Sequence, residues 1–219
     1  MHEIFDLKSI IEEGDLSKLK VLLDTKPNLV DKYILFGPEN KNAVHPLHYA
    51  CDCVFEYKIV EIVALEMVKT LLEAGADVNG KASTGKDTPL IAASSLYCDQ
   101  IALHLLSVDN VNVEHKGTHR GTALHWAAWT GSYLVSEKLV DKGADLNCVD
   151  NEFGASPLHW AINGMLQTSN RNKREQIKII ELLLSKGANP LITDNNNKTI
   201  YEIAKTEGLE SVLAMLLRF

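Results

Sequence analysis

The chain has 219 residues, of which 46% are hydrophobic, and its formal net charge is −7 at pH 7. This apolar content is ample for a continuous core, whereas the acidic balance argues against a nucleic acid as the main partner, because neutralising phosphates needs a basic surface. No apolar run reaches the length of a membrane span, and the N-terminus lacks the basic and then apolar pattern of a signal peptide, so we expect a cytoplasmic protein.

The first predicted elements are two helices within residues 2–30, where apolar residues recur at helical spacing. The connecting segment 31–45 that follows is long. It contains four adjacent apolar residues, Tyr33 to Phe36, directly before the turn signal Gly37-Pro38. This segment either covers the end of the fold or forms an exposed contact.

From residue 46 onward, a four-residue motif recurs along the chain. It reads Pro-Leu-His-Tyr at 46–49, and further copies begin at 89, 123, 157 and 200. A Leu-Leu or Leu-Val pair follows each copy at a corresponding position, and Gly-Ala follows three of these pairs, at 75–76, 143–144 and 187–188. Two signals in step over most of the chain indicate a repeat architecture.

The copy at 121–147 shows why each unit predicts two helices. Thr122 can accept hydrogen bonds from the free amides of a first helical turn, and the two alanines at 127–128 keep that helix thin enough for close approach. Gly143 supplies the left-handed residue that ends the second helix. The predicted apolar stripe of the second helix consists of Leu134, Val135, Leu139 and Val140. Because one unit cannot bury its own apolar face, the copies are expected to stack.

This period, with the Thr-x-Leu-His-x-Ala opening and the Gly-Ala-Asp-Leu-Asn close of 121–147, resembles the ankyrin repeat. The resemblance covers residues 4–219 and implies an all-α ankyrin-repeat solenoid of about six helix pairs with β-hairpin-like finger loops, in a single domain, 1–219. Both terminal repeats lack the full signature, as expected for caps with one face in water. The implied units are an N-terminal cap with a long finger (1–40), internal repeats at 41–79, 83–113, 118–149 and 152–191, and a C-terminal cap (195–219).

Two repeats are longer than the others, each by about nine residues between the first and second helix. In the second repeat the extra residues fall within 52–65. Because 56–65 contains no helix breaker, we expect the second helix to gain about two turns. In the fifth repeat the extra stretch 164–175 is polar and predicts a loop. Its basic residues Arg171, Lys173 and Arg174 are either part of a solvated loop or a steering patch for an acidic partner.

No sequence pattern indicates catalysis or a bound cofactor. The chain lacks Gly-x-Ser-x-Gly, a phosphate-binding glycine loop and His-Glu-x-x-His, so we expect neither an enzyme nor a cofactor. His115 and His119 are four residues apart in a finger rather than on a helix, and no third ligand accompanies them, so no metal site is expected. The four cysteines lack the spacing of a disulfide or zinc framework and are expected to be reduced thiols: Cys51, Cys53, Cys98 and Cys148.

Equivalent repeat positions carry histidines and aromatic residues. For His48, His125 and His159 the resemblance implies a structural role, in which the imidazole joins adjacent turns by hydrogen bonds. Trp126 and Trp160 share another position, occupied by Tyr49 in the second repeat, and are expected to pack partly between first helices.

Trp129 lies at a position that faces the concave groove in the ankyrin family. Its counterparts are Asp52, Ser95 and Asn163, and each is followed by a second position that we expect to be exposed: Cys53, Leu96, Thr130 or Gly164. Large aromatic side chains on such a surface commonly dominate binding energy. With the finger-tip residues, the candidate protein-binding set is Trp129, Thr130, Phe153, Glu152, Thr118, His119, Ser95, Leu96, Asn163 and Asp52.

The resemblance therefore implies a non-enzymatic, monomeric module that binds a protein partner through its concave groove and finger loops. Such a module could be an inhibitor, an immunity-type antagonist or a microbial effector delivered into a host cytosol. One alternative is an enzyme or small-ligand-binding protein that uses the loops 31–45 and 164–175, which a deep polar pocket would favour. A second alternative is a self-associating structural unit, which its mass in solution would identify.

Overall fold

The structure, a computed structural model, describes residues 2–40, 42–80, 86–167 and 173–219. Within these parts of the chain, twelve α-helices follow one another as six pairs. The helix pairs fall where the two periodic signals place them, and the predicted fold class is confirmed. The chain divides into two compact units, Met1–Ser83 with Asp87–Asn112 and Thr84–Lys86 with Val113–Phe219.

The first unit contains three helix pairs and a two-stranded hairpin. Two helix starts are capped by a side chain: Asp15 accepts from Lys18 N at 2.9 Å before α2, and Thr88 Oγ1 accepts from Ile91 N at 3.3 Å before α5. Proline begins α3 and α5, where its missing N–H costs nothing. The elements are α1 (His2–Glu13), α2 (Leu16–Thr25), β1 (Ile34–Phe36), β2 (Asn42–Val44), α3 (Pro46–Phe55), α4 (Glu61–Glu73), α5 (Pro89–Ser95) and α6 (Asp99–Ser107).

The long segment after α2 forms the hairpin and packs against the helices. Strands β1 and β2 are antiparallel, with Ile34 opposite Val44. Ile34 is buried, the Phe36 ring lies 5.7 Å from the Tyr49 ring, and the Tyr33 hydroxyl donates to Gly80 O at 3.1 Å. These contacts favour the covering role for this segment, with Leu35 exposed.

The second unit contains the remaining three pairs: α7 (Ala123–Thr130), α8 (Tyr133–Asp141), α9 (Pro157–Gln167), α10 (Lys173–Ser185), α11 (Ile200–Thr206) and α12 (Glu210–Leu216). Leu124, Val135 and Leu139 are fully buried between these helices. Burying one such side chain contributes about 1.5–3 kcal/mol. The predicted stripe of α8 is wrong at Leu134, which is 60% exposed because it lies on the outer face of the helix.

The insertion in the second repeat lengthens both helices of the pair rather than α4 alone. Helix α4 begins at Glu61 and has 13 residues, four more than α6 with nine, so it gains about one turn instead of two. Helix α3 takes up part of the insertion and ends at Phe55. A turn separates the helices because Tyr57 has a left-handed backbone, with φ of 59°.

In the fifth repeat the predicted loop is wrong at both of its ends. Helix α9 continues through Gln167, since Gly164 and Met165 are buried against their neighbours, and α10 begins at Lys173. Lys173 and Arg174 are therefore exposed on the first turn of a helix. The third member of the predicted basic cluster, Arg171, lies outside the described residues.

Finger bases of consecutive repeats are joined by one recurring hydrogen bond, in which a side-chain oxygen accepts from the backbone amide of the next repeat. In the first unit these bonds are Asp77 N to Asp31 Oδ1 at 2.8 Å and Asn112 N to Asn79 Oδ1 at 2.8 Å. In the second unit they are Asp145 N to Glu114 Oε1 at 2.8 Å and Asn189 N to Asn147 Oδ1 at 2.7 Å. Amides at the base of each finger are thereby satisfied.

Candidate functional site

Five aromatic rings form a continuous row in the second unit, contributed by α7, α9 and two finger tips. The Phe153 and His119 centroids are 6.4 Å apart, and His119 lies 6.2 Å from Trp126. The Trp160 centroid is 4.9 Å from that of Trp126 and 6.0 Å from that of Trp129. The two contacts of Trp160 are edge-to-face, an arrangement that contributes energy beyond the area buried. We call Phe153, His119, Trp126, Trp160 and Trp129 the aromatic row.

Trp160 anchors the row because it is buried and hydrogen-bonded. Its indole Nε1 donates to Asp150 Oδ2 at 2.7 Å. The other carboxylate oxygen, Asp150 Oδ1, accepts from the backbone amides of Glu152 at 2.8 Å and Phe153 at 2.6 Å. A single buried carboxylate thus fixes the finger tip that presents Phe153 to the helix that carries Trp160.

The finger tips are also joined to each other through the backbone. Asn151 N donates to His119 O at 3.2 Å, and Asn195 N donates to Phe153 O at 2.8 Å. The His119 imidazole pairs with the Glu152 carboxylate, and both side chains are exposed. An exposed pair contributes little to stability, so its main effect is to orient His119 beside Phe153.

Trp129 is half-buried rather than fully solvent-facing, since its ring leans on Trp160. Its carbonyl oxygen accepts from the side-chain amide of Gln176 on α10 at 2.6 Å. Gln176 can reach this oxygen because Gly164 has no side chain: a Cβ there would collide with both partners. Trp126 is half-exposed as well, and within the described residues its buried Nε1 has no hydrogen-bond partner.

The structure brings together most of the predicted residues of the second unit. Thr118, His119, Glu152 and Phe153 are exposed at the finger tips, while Asn163 is half-buried on α9. The prediction that Thr130 is exposed is wrong. Its side chain is buried, and its Oγ1 donates to Trp126 O at 2.9 Å instead of facing solvent.

The remaining candidates lie in the first unit. Asp52 is half-buried with Oδ1 3.6 Å from His48 Nε2, Leu96 is half-buried, and Ser95 Oγ donates to Ala92 O at 3.1 Å. The expected exposure of the second repeat position is also wrong for Cys53 and Gly164, which are buried because their sides of α3 and α9 face neighbouring helices.

Two of the three repeat histidines have the predicted structural role. His125 Nδ1 accepts from Thr122 N at 3.1 Å and its Nε2 donates to Ala155 O at 3.2 Å; His159 makes the same pair of bonds to Ser156 N and Lys198 O. Burial lowers the pKa of His125 to about 4 and lowers that of His159 as well, so both imidazoles are neutral at pH 7.

In the second repeat a different histidine takes this structural role. His45 Nδ1 accepts from Leu47 N at 3.2 Å, and its Nε2 lies 3.0 Å from Asp31 Oδ1. Sequence reasoning missed His45, whose signal is its place immediately before the first proline motif. It also missed Asp150, which bonds to the finger tip and to Trp160, and Gln176, whose partner Trp129 is 47 residues away in the chain.

Across the described residues, no three His, Cys, Asp or Glu side chains converge on a point where a metal ion could bind. An open depression of about 610 Å³ lies between α1 and α2, lined by residues such as Ile10, Val21 and Leu22, and none of its lining residues comes from 31–45. No helix in the described ranges is long and apolar enough to cross a bilayer.

Comparison with known proteins identifies similar repeats over most of the chain. The family model for ankyrin repeats in three copies matches residues 63–150 and 104–194. Ankyrin repeat protein OPG189 of Variola virus is 31% identical over 119 residues, which are 52% of this chain and 21% of that protein. A putative ankyrin repeat protein of Rickettsia bellii is 26% identical over 203 residues, or 93% of this chain and 25% of its own length. The chain therefore spans about a quarter or less of these relatives.

Two solved structures share the fold along nearly the full chain. An ankyrin repeat domain from Acinetobacter baumannii superposes with a TM-score of 0.76 at 26% identity, covering 96% of this chain and 95% of that one. The ankyrin repeat protein EF0377 has a TM-score of 0.75 at 21% identity, with coverage of 99% and 98%.

Proposed function

Because the chain belongs to the ankyrin-repeat family, whose members generally mediate protein–protein interactions, we propose that it is a non-enzymatic module that binds a protein partner through the aromatic row and the adjacent finger tips. The observation that carries this proposal is the exposure of Phe153, at 51%, beside the half-exposed rings of Trp126 and Trp129. Large aromatic side chains at the centre of a contact surface commonly supply most of the binding energy.

Rigidity supports the same proposal. Asp150 accepts from the backbone amide of Phe153, and Gln176 donates to the backbone carbonyl of Trp129, so the backbone under each ring is already held when a partner binds. Preorganisation lowers the entropic cost of association. Thr118, His119 and Glu152 would form the polar rim, and Asn163 extends the proposed contact set of the second unit. Asp52, Ser95 and Leu96 lie in the first unit and are proposed there as contact residues in their own right.

We further propose that the module acts on its partner by occupying a surface, as an inhibitor, an antagonist or an effector. The similarity to a viral ankyrin-repeat protein supports the version in which the module is an effector. We propose the cytosol as its compartment, that of a host cell in the effector version. The proposed acting form is a monomer, which the mass in solution tests directly.

The experiment is affinity capture with mass spectrometry, followed by calorimetry with the purified partner. Four proteins are compared: the unmutated chain, Trp129→Ala, Phe153→Ala and the control Leu191→Ala, which removes a 76% exposed side chain from the same unit. We expect Trp129→Ala to weaken binding by at least about 2 kcal/mol and the control to bind normally.

If all three variants bind the partner as tightly as the unmutated protein, the aromatic row is not the contact surface. Charge reversal of Lys173 and Arg174, and truncation of Leu35 in the hairpin, would then locate the contact.

A further inference from the structure

A left-handed residue follows the first helix of several repeats, and its identity differs from repeat to repeat. Glycine occupies this position after α1, α7 and α11, with φ of 68° at Gly14, 78° at Gly131 and 66° at Gly208. After α3 and α5 the residue is a tyrosine instead, with φ of 59° at Tyr57 and 60° at Tyr97. Both tyrosines belong to the first unit.

The backbone closure is the same in both kinds of turn. Lys58 N donates to Cys53 O at 2.9 Å after Tyr57, and Cys98 N donates to Ala93 O at 3.0 Å after Tyr97. In the second unit Ser132 N makes the equivalent bond to Ala127 O at 2.9 Å. Glycine adopts this conformation without strain, whereas a bulky side chain there costs energy.

Tyr57 gains almost no compensating burial, and Tyr97 gains only part. Tyr57 is 95% exposed and Tyr97 is 49% exposed. Three more exposed apolar side chains flank Tyr57: Phe55, Val60 and Ile62. Strained backbone conformations cluster at functional sites, and exposed apolar clusters mark contact surfaces. We call residues 55–62 and 96–99 the tyrosine turns.

The two tyrosine turns are held together and held rigid. Glu61 Oε1 in the first turn accepts from Gln100 N, at the start of α6, at 2.7 Å. Lys58 Nζ reaches back to Glu12 Oε1 at 2.7 Å, and Glu12 also accepts from the Tyr49 hydroxyl at 2.5 Å. The turns therefore present one fixed surface rather than two independent loops.

The surface around the tyrosine turns is acidic, which favours a basic partner segment. Residues 52–62 and 96–100 contain four carboxylates, Asp52, Glu56, Glu61 and Asp99, against the single ammonium of Lys58. Burial raises the pKa of the nearby Cys53 thiol to about 12, and the carboxylates of Glu12, Asp52 and Glu56 contribute in the same direction. An apolar surface with an acidic rim favours a segment that is apolar and basic.

We propose that the tyrosine turns are a second docking surface, separate from the aromatic row, for a positively charged apolar segment of another protein. Apolar side chains of that segment would pack on Phe55, Val60 and Ile62. Its Lys or Arg side chains would lie over the Tyr57 and Tyr97 rings, where cations are attracted to the aromatic face, and beside the carboxylates.

Because glycine relieves the backbone strain at Tyr57 and Tyr97, both rings can be removed without destabilising the fold. The variant Tyr57→Gly/Tyr97→Gly places glycine where the first, fourth and sixth repeats already have it and changes no charge. The control Asn110→Gly changes another left-handed residue of the first unit, with φ of 61°, away from the turns. The probes are two labelled amphipathic helical peptides of equal length, one of Leu and Lys and the other of Leu and Glu, measured by fluorescence anisotropy.

We expect the Leu/Lys peptide to bind the unmutated protein and Asn110→Gly equally, and the double variant about tenfold more weakly. The double variant should unfold at the same temperature as the unmutated protein or a higher one. The Leu/Glu peptide should not bind, and Phe153→Ala should leave Leu/Lys binding unchanged.

Three results would overturn the proposal. The double variant could bind the Leu/Lys peptide as tightly as the unmutated protein, or both peptides could bind alike. Sedimentation could also show a dimer that the double variant loses, in which case a second copy of the chain covers the turns.

Discussion

The side-chain amide of Gln176 donates to the carbonyl oxygen of Trp129 at 2.6 Å, across the space left by Gly164. This bond ties α10 to the end of α7 at the residue that carries one ring of the aromatic row. Gln176 is fully buried, so the bond forms away from water, where an unpaired amide or carbonyl is costly.

Gly164→Ala should therefore destabilise the protein by about 1–3 kcal/mol, because the new methyl group displaces Gln176 or the Trp129 carbonyl. Urea unfolding followed by circular dichroism measures the change. Gly208→Ala is a useful comparison, since nothing lies within 4 Å of the added Cβ and its cost reflects backbone strain alone. A Gly164→Ala protein as stable as the unmutated one would show that the close approach is relaxed in solution.

Leu124→Ala should lower the free energy of unfolding by about 2–5 kcal/mol, because it leaves a cavity between α7 and its neighbours. Leu134→Ala is the matched control on α8: its side chain is 60% exposed, and the change should stay within about 0.5 kcal/mol. Similar losses for both variants would mean that the inward face of the second unit is assigned incorrectly.

Acid should weaken the fold as the pH falls from 6.5 toward 4. Burial lowers the pKa of His125 to about 4. Between pH 6.5 and 4, His125 is therefore protonated in the unfolded chain but neutral in the folded protein. The stabilisation is complete above pH 6.5 and is lost by about 1.4 kcal/mol per pH unit for this residue. His159 and His45 are shifted downward by burial as well and add to the effect.

Urea midpoints at pH 7, 6 and 5 measure this dependence, and His125→Gln should reduce its slope even though it also lowers stability at pH 7. An unchanged slope in that variant would contradict the assigned role.

The cysteines should resist thiol reagents until the protein unfolds. All four are free and buried, and burial raises the pKa of Cys53 to about 12. Ellman's reagent should therefore react slowly with the native protein at pH 8 and release four equivalents in denaturant. Melting temperatures with and without reductant should agree; a large drop on reduction would show that a disulfide forms.

Periodic signals made the helix pairs predictable, because the motif at each first helix and the leucine pair at each second helix report local structure. Thr130 was wrongly predicted to be exposed, because its repeat position does not reveal that its hydroxyl donates to Trp126 O. Asp150 was missed for a related reason: it joins a finger tip to Trp160 by hydrogen bonds that form only in the folded protein.

The second-repeat insertion was misread at Tyr57. Residues 56–65 contain no Gly or Pro, so no residue type there indicated a left-handed backbone. The sequence pattern therefore predicted an unbroken helix where the chain turns. Departures of this kind, where a local rule fails without a packing reason, are expected at functional surfaces.

The hydrogen bonds at the finger bases also bear on how such a chain can change in length. A finger donates through Asp77 N and accepts through Asn79 Oδ1 two residues later, and the finger with Asp145 and Asn147 uses the same spacing. The donor and the acceptor are thus encoded by one short segment of the gene. Duplication of a single repeat within either unit copies both groups. The inserted repeat can therefore donate its amide to the preceding finger and accept from the amide of the following finger without any further mutation.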